Sequence, residues 1–68
     1  MADGMVKFFH DRKGWGFIER EGSDDVFVHY ADILGEGHRT LAKGENVHFD
    51  VIDGPNGDKA VNVIKIQL

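Results

Sequence analysis

The sequence predicts an all-β fold, a small closed barrel of five antiparallel strands. Runs of four to eight residues rich in Val, Ile and Phe are separated by turns that hold most of the nine glycines. No segment repeats apolar residues at helical spacing over three turns. Five antiparallel strands in 68 residues are too few for an ordinary two-sheet sandwich, whereas closure into a barrel removes the exposed edges. An SH3-like barrel satisfies the same strand count.

The five predicted strands are residues 3–10, 15–20, 25–30, 46–53 and 59–68. Polar turns at residues 11–14 and 21–24 separate the first three strands. Residues 54–58, Gly-Pro-Asn-Gly-Asp, are the strongest turn signal, because Pro fixes φ and Asn-Gly permits a positive φ. The longer connection over residues 31–44 begins with one predicted helical turn at residues 30–34, which Gly35 and Gly37 end.

Composition predicts a single domain over residues 1–68 and excludes several classes of function. The chain has no Cys, so it has neither disulfides nor thiolate metal sites, and the reducing cytoplasm suits it. The first residues lack the basic start and apolar run of a secretory signal, and no apolar run is long enough to span a membrane. Eight Lys and Arg against 12 Asp and Glu give a net charge of −4, which argues against binding of duplex DNA by electrostatic attraction alone.

Alternation assigns aromatic side chains to the outer face of the second and third strands. Strand side chains alternate between two faces, and the expected interior set is Ile18, Val26 and Val28. The expected outward set is Trp15, Phe17, Phe27 and His29. The opposite register would overfill a barrel this small and would bury an imidazole. Gly16 falls on the inner side, where the close approach of another strand explains a glycine.

The outward patch, flanked by Lys7 and Lys13, has three interpretations. The first is that the register is reversed and these are core residues; the second is a protein-binding surface, since aromatic residues mark such interfaces. The third is a stacking platform for unpaired bases, where each stack contributes about 1–3 kcal/mol. Lysines at both ends favour the third interpretation, because they can hold phosphates. Asp25, just before Val26, is expected either to accept a hydrogen bond from a base or to be a solvated acid.

The motifs along the chain resemble those of bacterial-type cold-shock proteins. Residues 13–18, Lys-Gly-Trp-Gly-Phe-Ile, resemble the first ribonucleoprotein motif, and residues 26–30 resemble the second as it occurs in cold-shock domains. Residues 4–9 resemble the opening G-x-V-K-W-F, residues 37–41 the loop G-F-[KR]-[ST]-L, and residues 60–63 the closing A-x-N-V. The resemblance implies a five-stranded antiparallel Greek-key barrel of the OB type that binds single-stranded RNA and DNA.

The resemblance also implies which residues bind and in what role. The expected nucleic-acid-binding set is Lys7, Phe8, Lys13, Trp15, Phe17, Asp25, Phe27, His29, Tyr30 and His38. The implied partners are single-stranded RNA and DNA, preferably pyrimidine-rich, and no membrane. The implied role is that of a monomeric cytoplasmic RNA chaperone without a cofactor, which assists transcription or translation at low temperature.

The sequence departs from the family at several of these positions. Phe8 stands where the family usually has Trp, and Trp15 where it usually has Phe or Tyr. His38 replaces a loop Phe, His10 replaces a common Asn, and residues 56 and 58 are Asn and Asp where relatives often have Arg or Lys. Of the four histidines, we expect His29 and His38 at the binding surface. Nearby phosphates favour their protonated forms, so binding should tighten as pH falls. His10 and His48 are expected to act only through net charge.

Two further expectations concern catalysis and the first strand. Catalysis is not expected, because the histidine spacings match no metal-ligand pattern and the carboxylates form no distinctive pair. A small barrel that binds another protein is therefore the alternative function. Strict alternation places Phe8 on the same side as Val6, whereas the family presents this position to the ligand, and a β-bulge would reconcile the two.

Overall fold

The structure, a computed structural model, describes residues 2–35, 39–55 and 57–66. The strands are β1 Ala2–His10, β2 Trp15–Arg20, β3 Ser23–His29, β4 Asn46–Gly54 and β5 Gly57–Lys65, and a 3₁₀ helix spans Tyr30–Asp32. The predicted helical turn at residues 30–34 is therefore present in a shorter form. The fifth strand begins two residues earlier than predicted, and residues 67 and 68 lie outside the described part of the chain.

The strands close into a barrel in the order β1-β2-β3-β5-β4, which confirms the predicted fold class. Four of the pairings are antiparallel. The β3–β5 pairing differs from the all-antiparallel expectation, because Phe27 pairs with Lys59 in the parallel direction. The reason is geometric: a closed ring with an odd number of strands cannot reverse direction at every seam. One parallel seam is therefore required.

The core is built from the inward faces of all five strands and the connection between β3 and β4. The buried hydrophobic residues are Val6, Ile18, Val26, Val28, Ile33, Leu41, Val47, Phe49, Ala60 and Val63. The three residues predicted to face inward on β2 and β3 are all 0% exposed. The outward register of the aromatic residues is therefore confirmed.

A β-bulge in β1 and a glycine in β2 bring these two strands together. The register between β1 and β2 shifts between Val6 and Phe8, so Val6 is buried while Phe8 is 37% exposed. This is the bulge that presenting Phe8 outward requires. A Cβ on Gly16 would overlap the carbonyl oxygen of Phe8 and would lie 2.8 Å from the Cα of Phe9, which confirms the predicted close approach.

The connection from β3 to β4 is fastened to the barrel at several points. The Leu34 N–H donates to the Val63 carbonyl oxygen at 2.8 Å, and the Gly44 N–H donates to the Val6 carbonyl oxygen at 2.8 Å. The Thr40 hydroxyl donates to the Asp11 carboxylate, which joins this connection to the β1–β2 turn. None of the described residues belongs to a helix long and apolar enough to cross a membrane.

Candidate nucleic-acid interface

The outer surface of β1, β2 and β3 carries nine side chains in three rows, which we call the outer sheet face. The phenylalanine row is Phe8, Phe17 and Phe27, which are register partners across the three strands. The indole row is His10, Trp15 and His29, which are also register partners. The charged row is Lys7, Glu19 and Asp25, in which Lys7 interacts with both acids.

The rings of the outer sheet face pack against one another. The Phe17 ring centroid lies 5.6 Å from that of Phe8 and 5.8 Å from that of Phe27. The Trp15 ring lies 5.7 Å from Phe8 at an interplanar angle of 73° and 6.2 Å from Phe27 at 24°. These separations are within the range of favourable aromatic pairs. Each ring thus packs against its neighbours in edge-on, tilted or stacked contacts while part of its surface stays open to solvent.

His29 and Tyr30 extend the aromatic surface past the end of β3. Their ring centroids are 4.5 Å apart, and Tyr30 is 49% exposed. The Nδ1 atom of His29 accepts a hydrogen bond from the Ala31 N–H at 3.2 Å, which caps the 3₁₀ helix and orients the imidazole. Gly14 makes room for the Tyr30 ring, because a Cβ there would lie 2.6 Å from its Cδ1 atom.

Lys7 and Asp25, predicted to make separate contacts with a ligand, pair with each other. The Lys7 ammonium donates to the Asp25 carboxylate at 2.9 Å, and the bond crosses β2 from β1 to β3. The hydrogen bond and the negative charge of Asp25 raise the pKa of Lys7 above its usual value. A phosphate that binds Lys7 must therefore compete with this carboxylate.

Unpaired cations gather near the β1–β2 turn. Arg12 and Lys13 are exposed in this turn, and Arg39 is exposed beside Thr40, which bonds to the turn. Of the Lys and Arg side chains in the described ranges, those without an ion pair are Arg12, Lys13, Arg39 and Lys43. Lys13, the predicted phosphate contact at this end, is therefore available to a ligand.

The opposite end of the outer sheet face is acidic. A groove beside Phe17 and Phe27 extends to the β2–β3 and β4–β5 turns and is lined by Asp24, Asp25 and Asp58. Arg20 also lines it, donates from Nε to the Asp24 carbonyl oxygen at 2.9 Å, and lies 3.7 Å from the Asp58 carboxylate. Since the cation here is already paired, this end disfavours phosphates and favours groups that donate hydrogen bonds.

The structure places nine of the ten predicted site residues on or beside the outer sheet face, and the tenth, His38, lies outside the described residues. Residue 56, one of the departures from the family, also lies outside them. The residue that the sequence reasoning missed is His10, whose ring centroid is 5.2 Å from Trp15 and 5.9 Å from Phe8. The signal was available: once Phe8 is taken to point outward, His10, two residues later, shares its face.

No group of His, Asp and Glu residues suited to a metal ion occurs among the residues that the structure describes. The exposed surface near the rings is instead made of aromatic faces, imidazoles and side chains that carry charge. This arrangement can stack flat ligands and hold anions at one end.

Comparison with known proteins shows sequence similarity to one family over nearly the whole chain. The profile of the 'Cold-shock' DNA-binding domain family matches residues 2–66. The chain is 48% identical over 66 residues to the cold shock protein CspD of Bacillus subtilis, covering 97% of this chain and 100% of that protein. It is 50% identical over 66 residues to the cold shock protein CspB of Bacillus caldolyticus, with the same coverage.

A solved structure shares the fold at lower sequence identity. The structure titled drosophila Unr CSD456 superposes with a TM-score of 0.77 at 21% identity, covering 97% of this chain and 26% of that chain. It supports the closed five-stranded barrel. Together with the family profile and the two Bacillus relatives, the barrel and its ribonucleoprotein-like motifs lead to one conclusion. The chain belongs to the cold-shock domain family of nucleic-acid-binding proteins.

Proposed function

We propose that this protein binds single-stranded RNA and DNA by stacking bases on the outer sheet face, and that it acts as an RNA chaperone without catalytic activity of its own. The observation that carries the proposal is the pair of in-register rows, Phe8-Phe17-Phe27 and His10-Trp15-His29. Each base–aromatic stack contributes about 1–3 kcal/mol and tolerates any base, because every base has a flat π face. Several such stacks give useful affinity with little sequence specificity.

The geometry favours an unpaired strand over a duplex. In a duplex the base faces are covered by their neighbours, whereas an unpaired strand can turn its bases onto protein rings. Duplex binding depends mainly on phosphate contacts, and a protein of net charge −4 with few unpaired cations supplies few of them. Bound transcripts are held open in this way, which assists transcription or translation when low temperature stabilises hairpins.

We expect a preference for pyrimidine-rich strands. Preferences of this kind arise from stacking strength and backbone flexibility rather than from hydrogen-bond readout. Purine strands stack on themselves more strongly, so more free energy is lost when their bases move to the protein. The open faces of Phe8, Phe17 and Phe27 accept the smaller pyrimidines without that loss.

We infer that the protein acts as a monomer in the cytoplasm, where transcripts are made and translated. Closure of the barrel supports the monomer, because β1 to β5 pair around the ring within the described residues and paired strand edges are not available to a second copy. Gel filtration at several protein concentrations tests this, and an elution volume that changes toward a dimer contradicts it.

Titration of Trp15 fluorescence tests the proposed function, because Trp15 is the single Trp of the chain and lies in the indole row. We expect quenching with oligo(dT) and oligo(dA), tighter binding of oligo(dT), and much weaker binding of a duplex of the same length. An emission spectrum unchanged by all three contradicts the proposal. That result would favour the alternative function, a small barrel that binds another protein.

A further inference from the structure

We propose that His10 is a further nucleic-acid contact of this protein, one whose protonation makes binding tighten as pH falls. This inference rests on the proposed function and deepens it. The ligand group that His10 recognises is a phosphate of the bound single strand, next to a base stacked on Trp15. Three properties of His10 support this: its position, its free ring nitrogens and the charges around it.

The position of His10 makes it part of the binding surface rather than of a distant turn. It is the register partner of Trp15 at the end of β1, it is exposed, and its ring centroid lies 5.2 Å from that of Trp15. His29 is the register partner of Trp15 on the other side. An imidazole therefore flanks the indole on both sides, and a base stacked on Trp15 brings its phosphates to the edges where these imidazoles lie.

Both ring nitrogens of His10 are available, whereas each of the two other described histidines has one ring nitrogen in a hydrogen bond. Neither ring nitrogen of His10 has a hydrogen-bond partner within residues 2–35, 39–55 and 57–66. Nδ1 of His29 accepts the Ala31 N–H, and Nδ1 of His48 is bonded to the Asp3 carboxylate on the β1–β4 side of the barrel. An imidazolium donates from both nitrogens and accepts at neither, so protonation gives His10 a second N–H donor without loss of a bond within the described structure.

The charges that surround His10 direct a phosphate toward it. Arg12 and Lys13 follow it in the β1–β2 turn and have no ion pair in the described part of the chain. Asp11, the acid nearest in sequence, accepts the Thr40 hydroxyl, and Arg39 precedes that threonine. His29 is the titratable group across Trp15. The acids of the charged row lie beyond the phenylalanine row, at the other end of the outer sheet face.

Linkage gives the sign of the pH effect. A phosphate bound beside His10 favours the imidazolium, so the complex binds more protons than the separate protein and strand do. Binding that takes up a proton tightens as pH falls. An exposed charge pair contributes a modest free energy, so the expected gain is about two- to fivefold in affinity.

The test measures oligo(dT) affinity by Trp15 fluorescence at about pH 8 and about pH 5.5, on either side of the ordinary imidazole range. The variants are His10→Phe, which keeps a ring and removes the titration, and the matched control His48→Gln on β4. The readout is the ratio of the two affinities for each protein. We expect a two- to fivefold ratio, by the linkage argument above, for the parent and for His48→Gln, and a ratio that falls toward one for His10→Phe.

The outcomes separate this inference from the function on which it rests. An undiminished ratio in His10→Phe, or equal affinities of the parent at the two pH values, overturns the role of His10 while leaving single-strand binding in place. Absence of oligo(dT) binding by the parent at both pH values contradicts the proposed function itself. As a second readout, the ring C–H resonances of His10 should shift on addition of oligo(dT) while those of His48 stay, and the reverse pattern overturns the inference.

Discussion

Phe17 occupies the centre of the outer sheet face, with aromatic rings on three sides. Its ring lies 5.6 Å from Phe8, 5.8 Å from Phe27 and 6.1 Å from Trp15. Because this packing is edge-on and tilted, Phe17 is half-buried rather than enclosed in the core. Its contribution to the free energy of unfolding should therefore be smaller than that of a core phenylalanine, while its contribution to base stacking should be large.

Replacing Phe17 or Phe27 by Ala should weaken oligo(dT) binding by about 1–3 kcal/mol, since each change removes one stacking surface. Truncation of a fully buried Phe lowers the free energy of unfolding by about 3–5 kcal/mol. The loss for Phe17→Ala or Phe27→Ala should be smaller. Fluorescence titration measures the first quantity and urea unfolding the second. Phe49→Leu is the control: Phe49 is fully buried, so this change should lower stability and leave affinity unchanged.

A stability loss of about 3 kcal/mol or more for Phe17→Ala, which is the range of a core phenylalanine, combined with unchanged affinity, would contradict the binding role of the phenylalanine row. The two quantities must be measured on the same variants for this reason. A ring that serves only packing would affect stability alone.

At the scale of the strands, the close approach of β1 and β2 decides which side chains reach the surface. The Phe8 carbonyl oxygen and the Phe9 Cα crowd the space above Gly16, and the register shift in β1 occurs beside them. The bulge turns Phe8 outward and, two residues later, His10. Without the bulge and the glycine, the first strand would present a different set of side chains.

Gly16→Ala should therefore push β1 away from β2 and lower the free energy of unfolding by about 1–3 kcal/mol, the usual cost of overpacking. It should also change the near-UV circular dichroism of Trp15, because Phe8 and His10 pack against that ring. Gly22→Ala is the comparison: Gly22 has φ of 76° but open space for a Cβ, so it adds backbone strain of about 1–2 kcal/mol without disturbing the rings. Unchanged Trp15 dichroism in Gly16→Ala would show that the bulge does not depend on this contact.

Sequence reasoning located the elements well because their signals are local. The bounds of β2 and the inward set on β2 and β3 follow from alternation, and the turn signal in residues 54–58 predicts the boundary between β4 and β5. The features that it missed or left open depend on more distant partners. The alternation of side chains along a strand does not predict the β-bulge in β1 that reorients Phe8 and His10. Lys7 and Asp25 are 18 positions apart, so their pairing follows only from the way β1, β2 and β3 lie side by side.

Across the whole molecule, the charges divide the outer sheet face into two ends. Arg12, Lys13 and Arg39 lie near the β1–β2 turn, whereas Asp24 and Asp58 line the groove at the other end. The net charge of −4 is therefore a poor guide to the local charge of the surface where a strand would bind. Binding depends on the local potential of the site more than on the total.

Salt dependence measures how many phosphates this face holds. With about two or three phosphates neutralised, the slope of log K against log[salt] for a single strand should be about −1.4 to −2.1. Lys13→Gln should make it shallower by about 0.7, the loss of one contact. Asp25→Asn should make it steeper by a similar amount, because it releases Lys7 from its ion pair.

Lys65→Gln is the matched control, since Lys65 lies on β5 beside Glu45 and outside the outer sheet face. Its slope should equal that of the parent. A parent slope steeper than about −4, equivalent to more than five phosphates, would reveal a basic surface other than the one described.

Under the proposed function, the mutual support of the rings should also affect how quickly a single strand binds and dissociates. Because Phe8, Trp15, Phe17 and Phe27 already brace one another before any ligand arrives, little rotational entropy is lost when bases settle on them. Association then needs no rearrangement and is limited by encounter and orientation, with a rate constant of at least about 10⁵–10⁷ M⁻¹s⁻¹. Moderate affinity under these conditions means short residence times. Under the proposed function, we expect a transcript to be held long enough to keep it from refolding and released soon enough for a polymerase or ribosome to pass.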